Sequence, residues 1–159
     1  CILLSGPEPQ RTILENKIIN QIHSQKNILL VRGLPHSNEV FENKYFQAIN
    51  HLAEKELIKI LKQSKIVICR SGYTTVMEMI ALQKPFITIA TPMQTEQEYL
   101  AHYLSEKKIC LSYKQDQFDI NYSLHQAESF DFNYIKTDNN FINSKKNKHE
   151  FFYYFCRWR

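Results

Sequence analysis

Long apolar runs are missing from this sequence. None approaches roughly 20 residues, so no segment is fit to cross a bilayer as a helix. The apolar opening Cys1–Leu4 carries no positively charged leader, so that run is not expected to be a secretory signal peptide. A chain that opens inside a strand pattern is expected to be the downstream part of something longer. Cysteine is sparse: Cys1, Cys69, Cys110 and Cys156 lie far apart, with no CxxC pair and no Cys/His pair at zinc spacing. Cys69 and Cys110 sit in apolar runs and read as buried thiols, for which a reducing cytoplasm is the natural setting. The histidines (His23, His36, His51, His102, His125 and His149) show no metal-ligand spacing either. Charge of one sign is also weak. The balance is 20 Lys and Arg against 16 Asp and Glu, a net +4, and the basic residues are scattered up to Lys145-Lys146-Asn147-Lys148. This permits an anionic ligand or a membrane surface but forms no nucleic-acid stripe. Glycine is limited to three residues, Gly6, Gly33 and Gly72.

What is present is an alternation of strand and helix signals. Ile2-Leu3-Leu4-Ser5 is a short apolar run broken by Gly6-Pro7. Pro9 suits the first turn of a helix, and Ile13, Leu14, Ile18 and Ile22 then share one helical face. Thr12 and Glu15 have capping-box spacing. Asn27–Arg32 reads as a second strand, residues 33–45 as a polar loop, and Phe46–Ile49 as a weak strand. Glu54–Gln63 is helical, with Leu57, Ile58, Ile60 and Leu61 as its apolar face. Lys65–Cys69 is the clearest strand, short, β-branched and continuous, as when both faces of a sheet are covered. A helix over Thr75–Gln83, a buried strand at Phe86–Ala90, a helix over Glu96–Lys107 and a last strand at Ile109–Ser112 complete the pattern. Such repeated units predict an α/β fold with a doubly wound, Rossmann-like parallel sheet over 1–112. Residues 113–159 are richer in Asp, Asn, Gln and Lys, and no clear helix is predicted there before the aromatic and basic end Phe151–Arg159. That end reads as a terminal helix packed back on the domain or as a membrane-interface anchor.

Ligands of doubly wound sheets bind at the carboxyl ends of the strands, beside helix N-termini. That rule selects three loops: 5–12, 70–78 and 91–98. The most informative is Arg70-Ser71-Gly72-Tyr73-Thr74-Thr75-Val76-Met77-Glu78, a buried strand running through a small-residue turn into a helix. Gly72 permits close approach of a ligand, the helix start attracts phosphate oxygens, and Ser71, Thr74 and Thr75 add hydroxyls. Glu78 is placed to accept from two ribose hydroxyls. The same Thr75 and Glu78 also have capping-box spacing, a purely structural alternative. Glu96 and Glu98 stand too close in sequence to face one another on a helix, so they make a poor acid/base pair.

The ordered set Cys69-Arg70-Ser71-Gly72, Thr75, Val76, Glu78, Lys84-Pro85, Pro92 and Gln94-Thr95-Glu96-Gln97-Glu98 resembles the C-terminal, donor-binding domain of family 28 glycosyltransferases of GT-B architecture. That group includes the bacterial enzyme adding GlcNAc to the lipid-linked peptidoglycan precursor. The likeness runs from Phe46 to Cys110 and, more loosely, over the first 35 residues. It implies a UDP-sugar donor, with Glu78 on the ribose and Ser71, Gly72, Thr74 and Thr75 at the diphosphate, beside Arg70. Gln97, or else Gln94, would contact the donor sugar, and backbone at Ile49 or Asn50 the uracil. The first loop, Ser5-Gly6-Pro7-Glu8-Pro9-Gln10-Arg11, departs from the family's glycine-rich loop. Gly6 keeps its flexibility, while Gln10 and Arg11 offer side-chain donors, Arg11 equally well being a solvated first-turn residue.

The resemblance implies a metal-independent, cofactor-free transferase, in keeping with the lack of a DxD-like motif. It would move a hexosamine, GlcNAc above others, to an acceptor that is lipid-linked in the best-known members. The catalytic base would lie in an N-terminal acceptor domain, in the same or a partner chain. The setting implied is the cytoplasm, at the inner face of the membrane, with peripheral membrane contact. Two other functions remain open on the sequence: a degenerate donor domain acting as an interaction module, which the scarce glycine and polar tail favour, and half of a sugar-nucleotide epimerase.

Overall fold

The structure, a computed structural model, describes residues 1–24 and 27–133. The elements are β1 (Ile2–Leu3), α1 (Gln10–Ile19), β2 (Leu29–Val31), β3 (Gln47–Ile49), α2 (Glu54–Gln63), β4 (Val67–Arg70), α3 (Tyr73–Ala81), β5 (Phe86–Ala90), α4 (Thr95–Glu106), β6 (Leu111–Lys114) and α5 (Ile120–Ser129). The six strands form one sheet in the order β3-β2-β1-β4-β5-β6, and every pairing is parallel. The expected doubly wound α/β architecture is therefore present. The strand order reverses between β1 and β4, which puts a crevice at the carboxyl ends of these two central strands.

Both sheet faces are covered, which explains the unbroken apolar runs. β4 and β5 are buried at every position. On one face Leu14 and Ile18 of α1 and Ile120 of α5 pack with Ile2, Leu30, Ile68, Ile87 and Ile89. On the other, Leu61, Val76, Met79, Leu100 and Leu104 from α2, α3 and α4 cover Val67, Cys69 and Phe86. Cys69 and Cys110 are buried and unbridged, as expected. Burial raises both thiols, Cys110 to about 12, so neither is a nucleophile at neutral pH.

Four expectations need correction. Neither capping box forms, because the helices start earlier: the N-caps are Pro9 and Gly72, without side-chain caps of their own. It is the Glu8 carboxylate that accepts from the Thr12 amide, at 3.2 Å. The last strand begins at Leu111, not Ile109. The chain turns at Lys108 (φ 56°), and Ile109 N–H bonds back to Leu104 O at 2.9 Å, so ladder pairing starts two residues later. The stretch after 113 carries a helix, α5, that the pattern did not announce. Asp119 caps it by accepting from Tyr122 N–H at 2.7 Å, and Ile120, Leu124 and Ala127 pack on the core. Three apolar positions among polar neighbours gave too faint a period. The Lys145–Lys148 run, His149, Cys156 and the Phe151–Arg159 end lie outside the described residues.

Candidate functional site

The three loops chosen from the sequence all lie at the carboxyl edge of the sheet. The central corner is built as follows. β4 runs out at Arg70, Ser71 is fully buried, and Gly72 takes an extended conformation (φ −67°, ψ 137°) before α3 starts. The first bond within α3 is Val76 N–H to Gly72 O at 3.0 Å, so the Thr74 and Thr75 amides have no acceptor inside the helix. A Cβ added at Gly72 would meet nothing within 4 Å, so the corner opens onto free space. Thr74 and Glu78 are exposed and Thr75 half-buried. Glu78 follows Thr74 by four residues and Thr75 by three, which sets the three side chains along one flank of the helix. A helix N-terminus, two hydroxyls and a carboxylate thus lie along one flank of α3, beside the open position at Gly72.

The side chains beneath this corner have other duties. Arg70, 2 % exposed, donates from Nη2 to Gln10 O at 2.8 Å and from Nη1 to Ala90 O at 3.2 Å and Ile89 O at 3.3 Å. It fastens the start of α1 to the end of β5. Among the described residues no carboxylate pairs with it. Burial pushes its pKa down to about 10, which still leaves a cation at neutral pH. Ser71 was expected as a hydroxyl donor to the ligand, but its Oγ donates to Gln97 O at 3.0 Å and pins α4 to the corner. Gln94 and Gln97 also turn inward. Gln97 Nε2 donates to Gln94 Oε1 at 2.5 Å, while Gln97 Oε1 accepts from Thr91 N–H at 3.1 Å. The glutamines implied as sugar contacts brace their own loop.

Arg11 is corrected in the same way. It is 5 % exposed, with Nε on Glu8 at 2.6 Å, Nη1 on Glu15 at 2.8 Å and on Arg32 O at 3.2 Å, and Nη2 on Thr12 Oγ1 at 2.7 Å. Arg32 bonds the other oxygen of Glu15 at 2.5 Å and Asn50 Oδ1 at 3.0 Å. A closed ion cluster, not a ligand-facing cation, therefore joins α1 to the end of β2. Asn50 is held by it, donating also to Ser37 O and Glu39 O. The Ile49 carbonyl, implied for the uracil, already accepts from Arg32 N–H at 2.8 Å, though its side chain stays exposed. Gly6 stands where expected, with φ +102°, a conformation that favours glycine. The position of its missing Cβ lies 3.8 Å from Thr91 Oγ1, so loops 5–12 and 91–98 meet there.

Unpartnered polar atoms mark the same edge, on Arg70 and on two residues not picked out in the sequence, Thr91 and Gln115. Arg70 Nε, Thr91 Oγ1 and Gln115 Oε1 are buried without a hydrogen-bond partner among the described residues. They stand at the carboxyl ends of β4, β5 and β6 in turn. Such orphans are rare in folded proteins and are satisfied by an internal water or a bound group. Beside them a cleft of about 780 Å³ runs between α1 and α4 over the ends of β5 and β6, lined by Gln10, Ala90, Pro92, Glu98, His102 and Gln115 among others. The strand-end rule alone reaches Thr91, but no signal in Lys114-Gln115-Asp116 singles out Gln115. Among the described residues no cluster of His, Cys, Asp and Glu could hold a metal, and no helix is long and apolar enough to cross a membrane.

Comparison with known proteins agrees with this architecture. The glycosyltransferase family 28 C-terminal domain matches residues 10–155. The UDP-N-acetylglucosamine--N-acetylmuramyl-(pentapeptide) pyrophosphoryl-undecaprenol N-acetylglucosamine transferase of Clostridium tetani is 32% identical over 91 residues, which is 55% of this chain and 25% of that protein. The spinosyn forosaminyltransferase SpnP superposes with a TM-score of 0.54 at 12% identity, over 84% of this chain and 35% of its own. The glycosyltransferase SnogD of Streptomyces nogalater gives 0.52 at 12% identity, over 79% and 36%. These two likenesses speak to the GT-B fold alone. The chain spans about a quarter of the curated relative and about a third of each of the two structures.

Proposed function

The chain belongs to the glycosyltransferase family 28 C-terminal domain family, and from that premise we propose that it is the donor-binding half of an enzyme transferring a hexosamine, GlcNAc above others, from a UDP-sugar. The observation carrying this reading is the open corner at Gly72, with the free end of α3 at its mouth and the exposed Glu78 one turn along. The diphosphate lies against the Gly72–Thr75 backbone and the Thr74 and Thr75 hydroxyls. Glu78 accepts from the ribose hydroxyls.

The chemistry follows from this placement. As the glycosidic bond breaks, negative charge collects on the leaving diphosphate. Fixed amides at a helix N-terminus oppose that charge without reorganising, and Arg70 adds a buried cation beneath them. The acceptor hydroxyl needs a general base. The base belongs to an N-terminal acceptor domain, in the same chain or a partner. A lipid-linked acceptor at the inner face of the membrane suits this reading, since the Clostridium tetani relative is named for an undecaprenol-linked substrate. The isolated chain is expected to bind donor weakly and to transfer nothing.

Isothermal titration of UDP and UDP-GlcNAc into the wild-type chain and Glu78→Ala tests the reading. Loss of hydrogen bonds to a charged group is expected to weaken UDP about tenfold or more. Equal affinity in both proteins would refute the ribose assignment.

A further inference from the structure

The outer surface of α4 carries a feature that is independent of the donor site. Glu96, Tyr99, Tyr103 and Glu106 follow one another at steps of three, four and three, so they form one stripe along the helix. All four are exposed, Tyr99 at 50% and Tyr103 at 37%. The two rings stack, with centroids 6.3 Å apart and planes 14° from parallel. Tyr103 also attracts a cation, with Lys107 Nζ 5.8 Å from its ring centroid. The stripe therefore sets two aromatic rings between two carboxylates, over a length of about 15 Å.

The described residues stop beside this stripe. Asn133 N–H donates to Lys108 O and Asn133 Nδ2 to Lys107 O, both at 2.9 Å, which ties Asn133 to the turn that ends α4. Residues 134–159 lie beyond it. Residues 1–133 hold as many Asp and Glu as Lys and Arg, so the net +4 of the chain belongs to residues 134–159. Within them Phe151–Arg159 joins six aromatic side chains to Arg157 and Arg159. Its chemistry complements that of the stripe. We propose that Phe151–Arg159 docks on α4, with its rings against Tyr99 and Tyr103 and its guanidinium groups at Glu96 and Glu106. Guanidinium suits both partners, because it stacks on an aromatic face and also pairs with a carboxylate. Reach is no obstacle, since residues 134–150 can span about 55 Å. The tether makes the contact intramolecular, so individually weak contacts suffice. Aromatic rings with cations also suit the headgroup region of an anionic bilayer. The stripe is favoured over a bilayer because it supplies ring and carboxylate together, where residue 134 begins.

Trp158 is the one tryptophan of the chain, so its emission reports on this segment alone. The test compares the full chain as wild type, as Tyr99→Ser with Tyr103→Ser, and as Glu96→Lys with Glu106→Lys, with thermal melts to check folding. Excitation at the red edge of the absorption band keeps tyrosine emission out. In the wild type, Trp158 is expected to emit to the blue of solvated indole and to resist acrylamide quenching. Loss of both rings should weaken docking by about tenfold, moving the emission to the red and raising the quenching. The charge reversal should act in the same direction, as should added salt on the wild type. If the tyrosine variant does not fold, the charge reversal at two exposed positions still decides. Solvent-like emission from Trp158 in the folded wild type overturns the proposal, and so does a shielded Trp158 that neither variant moves. Shielding that appears only on adding phosphatidylglycerol vesicles assigns the segment to a bilayer and overturns it as well.

Discussion

The two ends of the carboxyl edge are built on opposite principles. At the β1–β3 end the charged side chains answer one another. Glu15 sits between Arg11 and Arg32, and Arg32 also reaches Glu39 at 3.5 Å, Asn50, and the face of Phe41 at 4.8 Å. At the β4–β6 end a buried arginine has no carboxylate partner among the described residues, and three polar atoms go unanswered at successive strand ends. A closed network rigidifies; an unfinished one is completed by water or a bound group. On the proposed donor-binding reading, the first end is scaffold and the second receives the ligand's charge and hydroxyls.

The largest expected effect breaks the scaffold end. Glu15→Ala removes the buried carboxylate shared by two buried guanidinium groups, leaving them only the exposed Glu8 and Glu39, and is expected to cost about 3 kcal/mol of stability, read by urea denaturation. A cost under about 1 kcal/mol would mean that the cluster is solvated and the contrast between the two ends is false.

Two glycines sharpen the comparison at a smaller scale. Gly33, at φ +72°, would place a new Cβ 2.4 Å from Leu4 O, so Gly33→Ala is expected to destabilise by about 1–3 kcal/mol. Gly72 has open space and an ordinary backbone, and serine is a favoured N-cap. Gly72→Ser should therefore keep or slightly raise the melting temperature while weakening UDP, because its side chain enters the volume assigned to the diphosphate. Unaltered UDP affinity in Gly72→Ser would remove the ligand from that corner.

The fold was legible wherever burial on both faces wrote a continuous apolar run, as at Lys65–Cys69 and Phe86–Ala90. It was illegible at α5, where a half-exposed helix dilutes its period with polar residues. Of the candidate site, the backbone corner was readable as geometry, because Ser71-Gly72 separates a continuous apolar run from a helical one, although the same junction occurs in many α/β proteins that bind nothing there. Glu78 is exposed and takes no part in a cap, although its spacing from Thr75 allowed one. The side chains were the weak part. Sequence says that Arg11, Ser71 and Gln97 can donate, but not to what: Arg11 gives to Arg32 O and Ser71 to Gln97 O, both far along the chain, while Gln97 gives to its neighbour Gln94 and accepts from Thr91 N–H. Gln115 was missed for the converse reason, since its partner Gln10 lies 105 residues away.

The central claim is that a nucleoside diphosphate rests on the first turn of α3. Titrating UDP into the ¹⁵N-labelled chain and following each backbone amide by NMR tests it most directly. Saturable shifts concentrated at Gly72, Thr74, Thr75 and Glu78, with the amides of α5 unmoved, are the expected result. Saturable shifts that gather on α5 or elsewhere while Gly72–Thr75 stay still would contradict it.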